Sequence, residues 1–259
     1  MIRGIDHLVI AVRDLDAAAD ELRRALGLAF TAGGRHPGAG TANRIAFLGE
    51  PYLELIGVED AEAAGLRPIG AAACRALEVG GGLATYALVD HALETTVAEL
   101  QANGSSIGPV EHGSRVRADG ELVEWWTATF ERLGPDRAPF LIRHAPSGVE
   151  WDPKAVAARS AFRHPIGSPV TLVRLDLATP DPPSLAADYA AALGVEFWAV
   201  ADLAVWNAGP HTVRLRPLSE MPVPAVVTLA AGVAAPRSVQ ALGMRFDVEP
   251  SEPAAPTPS

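Results

Sequence analysis

The chain has 259 residues, of which 49% are hydrophobic and 20% charged, and a formal net charge of −10. That length buries a sizeable core in one large domain or two smaller ones, while the excess of acid excludes an electrostatic grip on nucleic-acid phosphates or anionic lipid. Cys74 is the single cysteine, which excludes an internal disulfide and a thiolate zinc cluster.

The first residues enter a strand pattern over Ile5–Val12 with no basic-then-apolar leader. Side chains alternate faces along a strand, so His7 shares a face with Ile5 and Val9, and Leu8, Ile10 and Val12 take the other. Asp14 or Asp16 caps a helix in which Leu15, Ala18, Ala19, Leu22 and Leu26 recur at helical spacing, and Gly27 stops it. Strands are predicted over Leu28–Ala32, Asn43–Leu48 and Tyr52–Val58. The glycine-rich stretch 33–40 between the first two is read as a loop. Glu54 shares its face with Tyr52 and Ile56. Cys74 falls in a short helix, where a buried, inert thiol is expected.

The same order returns twice. A strand over Leu83–Val89 precedes a helix over Leu93–Ala102 with a stop at Gly104, and strands over 108–116, 122–130 and 139–144. Then Leu172–Ala178 precedes a helix over Pro182–Leu193 and strands near 197–200, 203–206 and 212–215. Stretches 224–229 and 244–248 read as the remnant of a fourth unit. Recurrence at about 80 residues points to duplicated supersecondary units, each unable to bury its open sheet face alone. The domain reading is a paired unit over 1–146, a linker over 147–168, a degenerate third and partial fourth unit over 169–248, and a disordered tail over 249–259. No apolar run approaches the roughly 20 residues that span a bilayer, so a cytoplasmic protein is expected, as monomer or homodimer.

Burying an ionisable group on an apolar face costs several kcal/mol unless it is paired or binds a metal. His7 and Glu54 are therefore the leading candidates for a site, against a core histidine bonded to carbonyls and a solvent-facing edge carboxylate. His36 is the third candidate, because the surrounding glycines let the backbone fold over a cavity mouth; the alternative is a turn with a solvated imidazole. His144 is an outside alternative. Thr41 and Asn43 can bond a substrate oxygen or tie the loop to its own backbone. Arg115 and Arg117 share a strand face near Trp125 and Trp126, where a guanidinium over an indole holds a carboxylate or a conjugated ring, or forms only an exposed ladder. Dinucleotide and phosphate-loop fingerprints and the nucleophile elbow are missing.

Ile5-Asp-His-Leu-Val-Ile-Ala-Val12 with Asp14-Leu-Asp16, Gly33-Gly-Arg-His-Pro-Gly-Ala-Gly-Thr-Ala-Asn43 and Tyr52-Leu-Glu-Leu55 resemble the vicinal oxygen chelate superfamily, and within it the glyoxalase-like domain proteins. Asp119-Gly-Glu-Leu-Val-Glu-Trp125 and Pro139-Phe-Leu-Ile142 are weaker echoes. The resemblance implies an α+β fold of tandem βαβββ modules whose curled mixed sheets enclose a cavity. It also implies a divalent metal (zinc, iron(II), manganese or nickel) held by inward residues of the first and fourth strands, here His7 and Glu54, with His36 as the added candidate. Aligned helices put Ala84 or Thr85 opposite His7 in the second unit and Arg174 in the third, with Ile142 or its neighbours and Val213 or Arg214 opposite Glu54, so the second ligand pair is missing unless a register shift brings in His144. Two functions follow: a metal-dependent lyase, isomerase or dioxygenase acting on a small oxygen-rich molecule oriented by Thr41, Asn43, Arg115 and Trp125, or a metal-free protein that binds a small molecule such as an antibiotic. Glu54 is also a candidate metal-free general base, since an apolar setting raises a carboxylate's pKa.

Overall fold

The computed structural model describes residues 2–117, 119–146 and 150–251. Strand β1 (Ile2–Ala11) leads into α1 (Leu15–Leu26). Asp14 is the cap: its carboxylate accepts the backbone N–H of Asp16 and Ala17, and the helix ends at Gly27. Ala18, Ala19, Leu22 and Leu26 form the buried stripe of α1, which packs on β4. Burying each leucine contributes roughly 1.5–3 kcal/mol.

The strand expected over 28–32 is not formed. The strand that follows α1 is β2 (Gly34–His36), inside the stretch read as a loop. The reason is Gly33, whose φ is +74° and where a Cβ would lie 1.7 Å from the Asn43 carbonyl oxygen. Only glycine brings the backbone that close, and the turn it makes delivers residues 34–36 to β3 (Thr41–Phe47).

After β4 (Tyr52–Val58), helices α2 (Ala61–Gly65) and α3 (Pro68–Glu78) lead to β5 (Gly82–Asp90) and α4 (Leu93–Ala102). Cys74 lies in α3 and is half-buried. Strands β6 (Val110–Arg117), β7 (Leu122–Ala128) and β8 (Phe140–His144) complete the second unit. The eight strands close into a barrel in the order β1-β4-β3-β2-β6-β7-β8-β5. The seam between the units, β2 on β6, holds two residue pairs, Gly34↔Arg117 and Arg35↔Val116.

The stretch expected as a linker carries a helix, α5 (Pro153–Ser160), started by Asp152, whose side chain accepts from Ala155 N–H. A second sheet follows: β9 (Val170–Thr179), α6 (Pro182–Leu193), β10 (Trp198–Val200), β11 (Leu203–Ala208), β12 (His211–Pro217), β13 (Ala225–Ala231), β14 (Arg237–Ala241) and β15 (Met244–Pro250). Its order is β10-β11-β12-β9-β13-β15-β14. The parallel pairing of β9 with β12, the antiparallel pairing of β9 with β13 and the parallel pairing of β13 with β15 repeat those of β1, β4, β5 and β8. β10 and β14 are its two edges and do not pair with each other, so this sheet is open. Arg174 pairs with Thr212 as His7 pairs with Tyr52, which puts Arg174 and Arg214 at the places of His7 and Glu54. The two sheets are joined by Ile5 N–H, which donates to His211 Nδ1 over 3.0 Å, and by Arg237, which donates to the Leu26 carbonyl over 3.1 Å. β15 runs into the stretch expected as tail, and residues 252–259 lie outside those described. Among the described residues no helix is long and apolar enough to cross a membrane.

Candidate functional site

His7, His36, Thr41, Asn43, Glu54, Arg115 and Trp125 all line one cavity of about 130 Å³ inside the barrel. All seven sequence candidates meet there, and His144 joins them. A cavity of about 150 Å³ holds a benzene, so the chamber admits a small group.

His7 and Glu54 lie on neighbouring parallel strands, with Tyr52 directly opposite His7 in the register. Tyr52 stacks on the imidazole with ring centres 4.5 Å apart and 12° between planes. His7 Nε2 faces Glu54 Oε2 at 3.5 Å. Each group is fixed from behind. His7 Nδ1 lies 2.7 Å from Asp6 Oδ1 and Asn43 Nδ2 donates to Glu54 Oε1 over 2.7 Å.

Asp6 is adjacent to His7 in sequence, and strict alternation would send it to the opposite face. The pairing of β1 with β5 slips between Ile5 and His7, leaving Asp6 as an extra residue. A bulge of this kind re-aims a side chain, and both residues turn towards the same interior. Asp6 is 4% exposed and meets two rings, since His144 Nε2 lies 3.0 Å from each of its oxygens. Burial alone would raise its pKa, but His144 and then His7 outweigh that and hold it well below the usual carboxylate range. Burial lowers the pKa of His144 against the pull of Asp6, and Nε2 is the ring nitrogen that meets the carboxylate. An ionised Asp6 also sets the tautomer of His7, with the proton on Nδ1 and Nε2 free to accept.

The Asn43 amide is oriented by its partners, because Gly34 N–H donates to Oδ1 over 3.1 Å and leaves Nδ2 for Glu54. Nδ2 also lies 3.3 Å from His36 Nε2, and His36 Nδ1 lies 2.8 Å from Thr41 Oγ1. Burial lowers the pKa of His36 against the opposing charge of Glu54. The partners match a ring that accepts at Nε2 from the amide and donates from Nδ1 to the hydroxyl. Thr41 and Asn43 thus serve the ordering of the site itself.

This network decides whether the implied metal fits. His36 Nε2 lies 3.9 Å from Glu54 Oε1, and the Asn43 amide directs N–H groups at both atoms. The amide occupies the lone pair of His36 Nε2 and one of those on Glu54 Oε1. His7 Nε2 and the Glu54 carboxylate remain, two residues where firm retention needs at least three ligands, and the buried Nδ1 of His144 at the same cavity has no hydrogen-bond partner. Among the described residues no group of three or more His, Cys, Asp and Glu is arranged to hold a metal ion. The expected set of His7, Glu54 and His36 is brought to one cavity, with His36 and Glu54 bridged by the Asn43 amide.

Trp125 faces inward, its ring centre 6.0 Å from that of His36, while Trp126 faces outward beneath Arg143 at 4.2 Å. The guanidinium over Trp126 is therefore that of Arg143 and not of Arg115. Arg115, 5% exposed, instead spans a carboxylate: its Nη2 donates to both oxygens of Glu150, over 2.8 and 2.7 Å. Glu150, Trp151 and Arg159 were not among the sequence candidates, yet they close one wall. Trp151 stacks on His144 at 3.5 Å and 8°, and Arg159 lies 4.0 Å above Trp151 and 4.9 Å above Phe47. The Asp152-Pro153 pair, a capping acid before proline at the first helical position, is the sequence signal that locates this wall.

A sequence profile described as a Glyoxalase-like domain matches residues 5–193. Among curated proteins none matches. A solved hypothetical protein from Staphylococcus aureus superposes with a TM-score of 0.78 at 15% identity, over 97% of this chain and 100% of its own. A mutant 4-hydroxymandelate synthase from Streptomyces coelicolor gives 0.50 at 15%, over 89% and 71%. A variant methylmalonyl-CoA epimerase from Streptomyces coelicolor, in complex with 2-nitronate-propionyl-CoA, gives 0.41 at 17%, over 57% and 99%. At such identities the likeness is one of fold. The profile covers the whole barrel and the start of the open sheet, and with the curled, closed arrangement of paired units it establishes that the chain belongs to the glyoxalase-like domain family of the vicinal oxygen chelate superfamily.

Proposed function

We propose that the barrel cavity is the active site of an isomerase or lyase that moves a proton on a small carbonyl compound, with His7 and Glu54 as the acid–base pair and without a resident metal. The observation that carries this reading is the separation of His7 Nε2 and Glu54 Oε2, 3.5 Å, with both atoms at the cavity and each residue braced on its far side. Two proton-accepting atoms within reach of one bound carbon acid can take a proton from one position and return it at another. Asp6 holds the His7 ring in the tautomer that leaves Nε2 available, the service a carboxylate performs for a catalytic histidine. Asn43 holds Glu54 so that Oε2 is the oxygen facing the substrate. Tyr52, Phe140 and Trp125 exclude water from the transfer.

The aromatic lining favours a second reading, a protein that binds a small molecule without transforming it. One measurement separates the two. In D2O, small 2-oxo and 2-hydroxycarbonyl compounds are followed by proton NMR for loss of the signal beside the carbonyl. Catalysed exchange that falls at least about 100-fold in both His7→Ala and Glu54→Gln supports catalysis. Quenching of tryptophan fluorescence by the same compounds, with no exchange of any of them, replaces catalysis by binding.

A further inference from the structure

The Arg115–Glu150 pair stands between two cavities. Ile45, Phe47, Arg115 and Glu150 line both the inner chamber and a second cavity of about 590 Å³ on its outer side. The outer cavity has apolar walls, including Phe30, Ala155, Ala158 and Phe162, three guanidinium groups, those of Arg115, Arg117 and Arg159, and the carboxylate of Asp119, 2.9 Å from Arg117 Nη2. Arg117 adds a contact to the same carboxylate, Nη1 to Glu150 Oε1 at 3.3 Å. Arg159 donates to the Glu150 backbone carbonyl. A planar two-oxygen anion is thus held by two arginines at the boundary of a polar inner chamber and an apolar outer one. The geometry points to Glu150 as an internal substitute for the ligand: we propose that the site takes a carboxylic acid with an apolar tail, whose carboxylate displaces Glu150 from Arg115 and Arg117.

The segment that carries Glu150 is held in a way that permits this. None of residues 150–162 belongs to the hydrophobic core, and Phe162 is 46% exposed. The attachments are the Glu150 ion pairs, the Trp151 stack on His144 and the Arg159 contacts. An incoming carboxylate replaces the ion pairs one for one, because a guanidinium accepts any carboxylate in the same planar geometry. The displaced Glu150 reaches solvent, and loss of the shared wall joins the two cavities. The acid head then lies at the rim of the inner chamber and the apolar tail lies along Phe30 and Phe162. Buried arginine without a counter-charge is costly, so an uncharged head group gains no entry.

This rests on the proton-transfer reading only for what becomes of the ligand inside; the binding step is measured alone. Octanoate and octanamide, which share a tail and differ in head charge, are titrated into the full chain by calorimetry and by tryptophan fluorescence. Octanoate is expected to bind the wild type, and Glu150→Gln, which removes the internal competitor at constant shape, is expected to tighten it at least tenfold. Octanamide stays weak in both. The double variant Arg115→Gln with Glu150→Gln, which removes both members of the buried pair together, loses the preference for the acid. Thermal unfolding checks that both variants are folded. Octanamide binding as tightly as octanoate, or no tightening in Glu150→Gln, overturns the proposal. Octanoate discrimination without any deuterium exchange overturns the catalytic reading and leaves this one standing.

Discussion

His7 Nδ1 sits 2.7 Å from the carboxylate of its own chain neighbour, Asp6, a contact that a regular strand does not permit. It exists because β1 carries a bulge at that point. The carboxylate fixes which nitrogen of His7 bears the proton, so its loss acts on the ring without touching the substrate. In Asp6→Asn the deuterium exchange rate is expected to fall at least about 100-fold, with octanoate affinity unchanged. Nitrogen-15 NMR of the histidine rings reads the cause directly: His7 is expected to shift away from its single Nδ1–H tautomer. Exchange at the wild-type rate in this variant refutes the role given to Asp6.

The metal question has its own measurement. Protein purified without a histidine tag and dialysed against a weak chelator is expected to carry well below one equivalent of zinc, iron, manganese or nickel by elemental analysis. Asn43→Ala removes the amide that occupies His36 and Glu54, and is expected to raise metal uptake. Stoichiometric metal in the wild type, lost in His7→Ala and Glu54→Ala, restores the ligand set implied by the family resemblance.

Acid is expected to loosen the contact between the two sheets. Burial lowers the pKa of His211 to about 4, and its Nδ1 must stay unprotonated to accept from Ile5 N–H. A depressed pKa contributes stability above the unfolded value of about 6.5, and that contribution is lost as the pH falls through about 4. A shift of that size corresponds to on the order of 3 kcal/mol. Urea denaturation between pH 7 and pH 4 is expected to show this loss, and His211→Gln to flatten the profile while lowering stability at pH 7. An unchanged slope in the variant assigns the acid sensitivity elsewhere.

Gly113 faces Trp125 across β6 and β7, and a Cβ there would lie 2.4 Å from the indole nitrogen. Gly113→Ala is expected to push the indole into the chamber at a cost of about 1–3 kcal/mol, the usual range for overpacking. Gly65→Ala, where nothing lies within 4 Å of the new atom, is the control. A red-shifted emission with weakened octanoate binding in the first variant alone is the expected result.

The legible part of this molecule was the part in which chemistry contradicts its surroundings. His7 and Glu54 stand out because ionisable groups interrupt apolar strands, and the βαβββ order follows from the repeated helix stops at Gly27 and Gly104. What strict alternation hid was Asp6, because a one-residue bulge reverses the face on which a side chain emerges. The shift of β2 to Gly34–His36 was hidden too, because Gly33 is fixed by the carbonyl of Asn43, a contact ten residues away in sequence. Arg115 was found as a candidate for its type, but its partner Glu150 lies 35 residues on, and pairing across such a distance leaves no local pattern. Arg174 was aligned with the place of His7, whereas the alignment left Val213 or Arg214 for that of Glu54, and the register of β9 with β12 selects Arg214.

The barrel owes its closure to the two residue pairs between β2 and β6, whereas β6 and β7 share seven. A hoop fastened at so narrow a joint parts there first when the molecule breathes, since fewer backbone bonds must break at once. Arg115 and Arg117 stand on one side of that joint and Gly34 on the other. The interior is therefore most easily reached beside the guanidinium groups that would greet an acid, and the fasteners of the architecture double as its threshold.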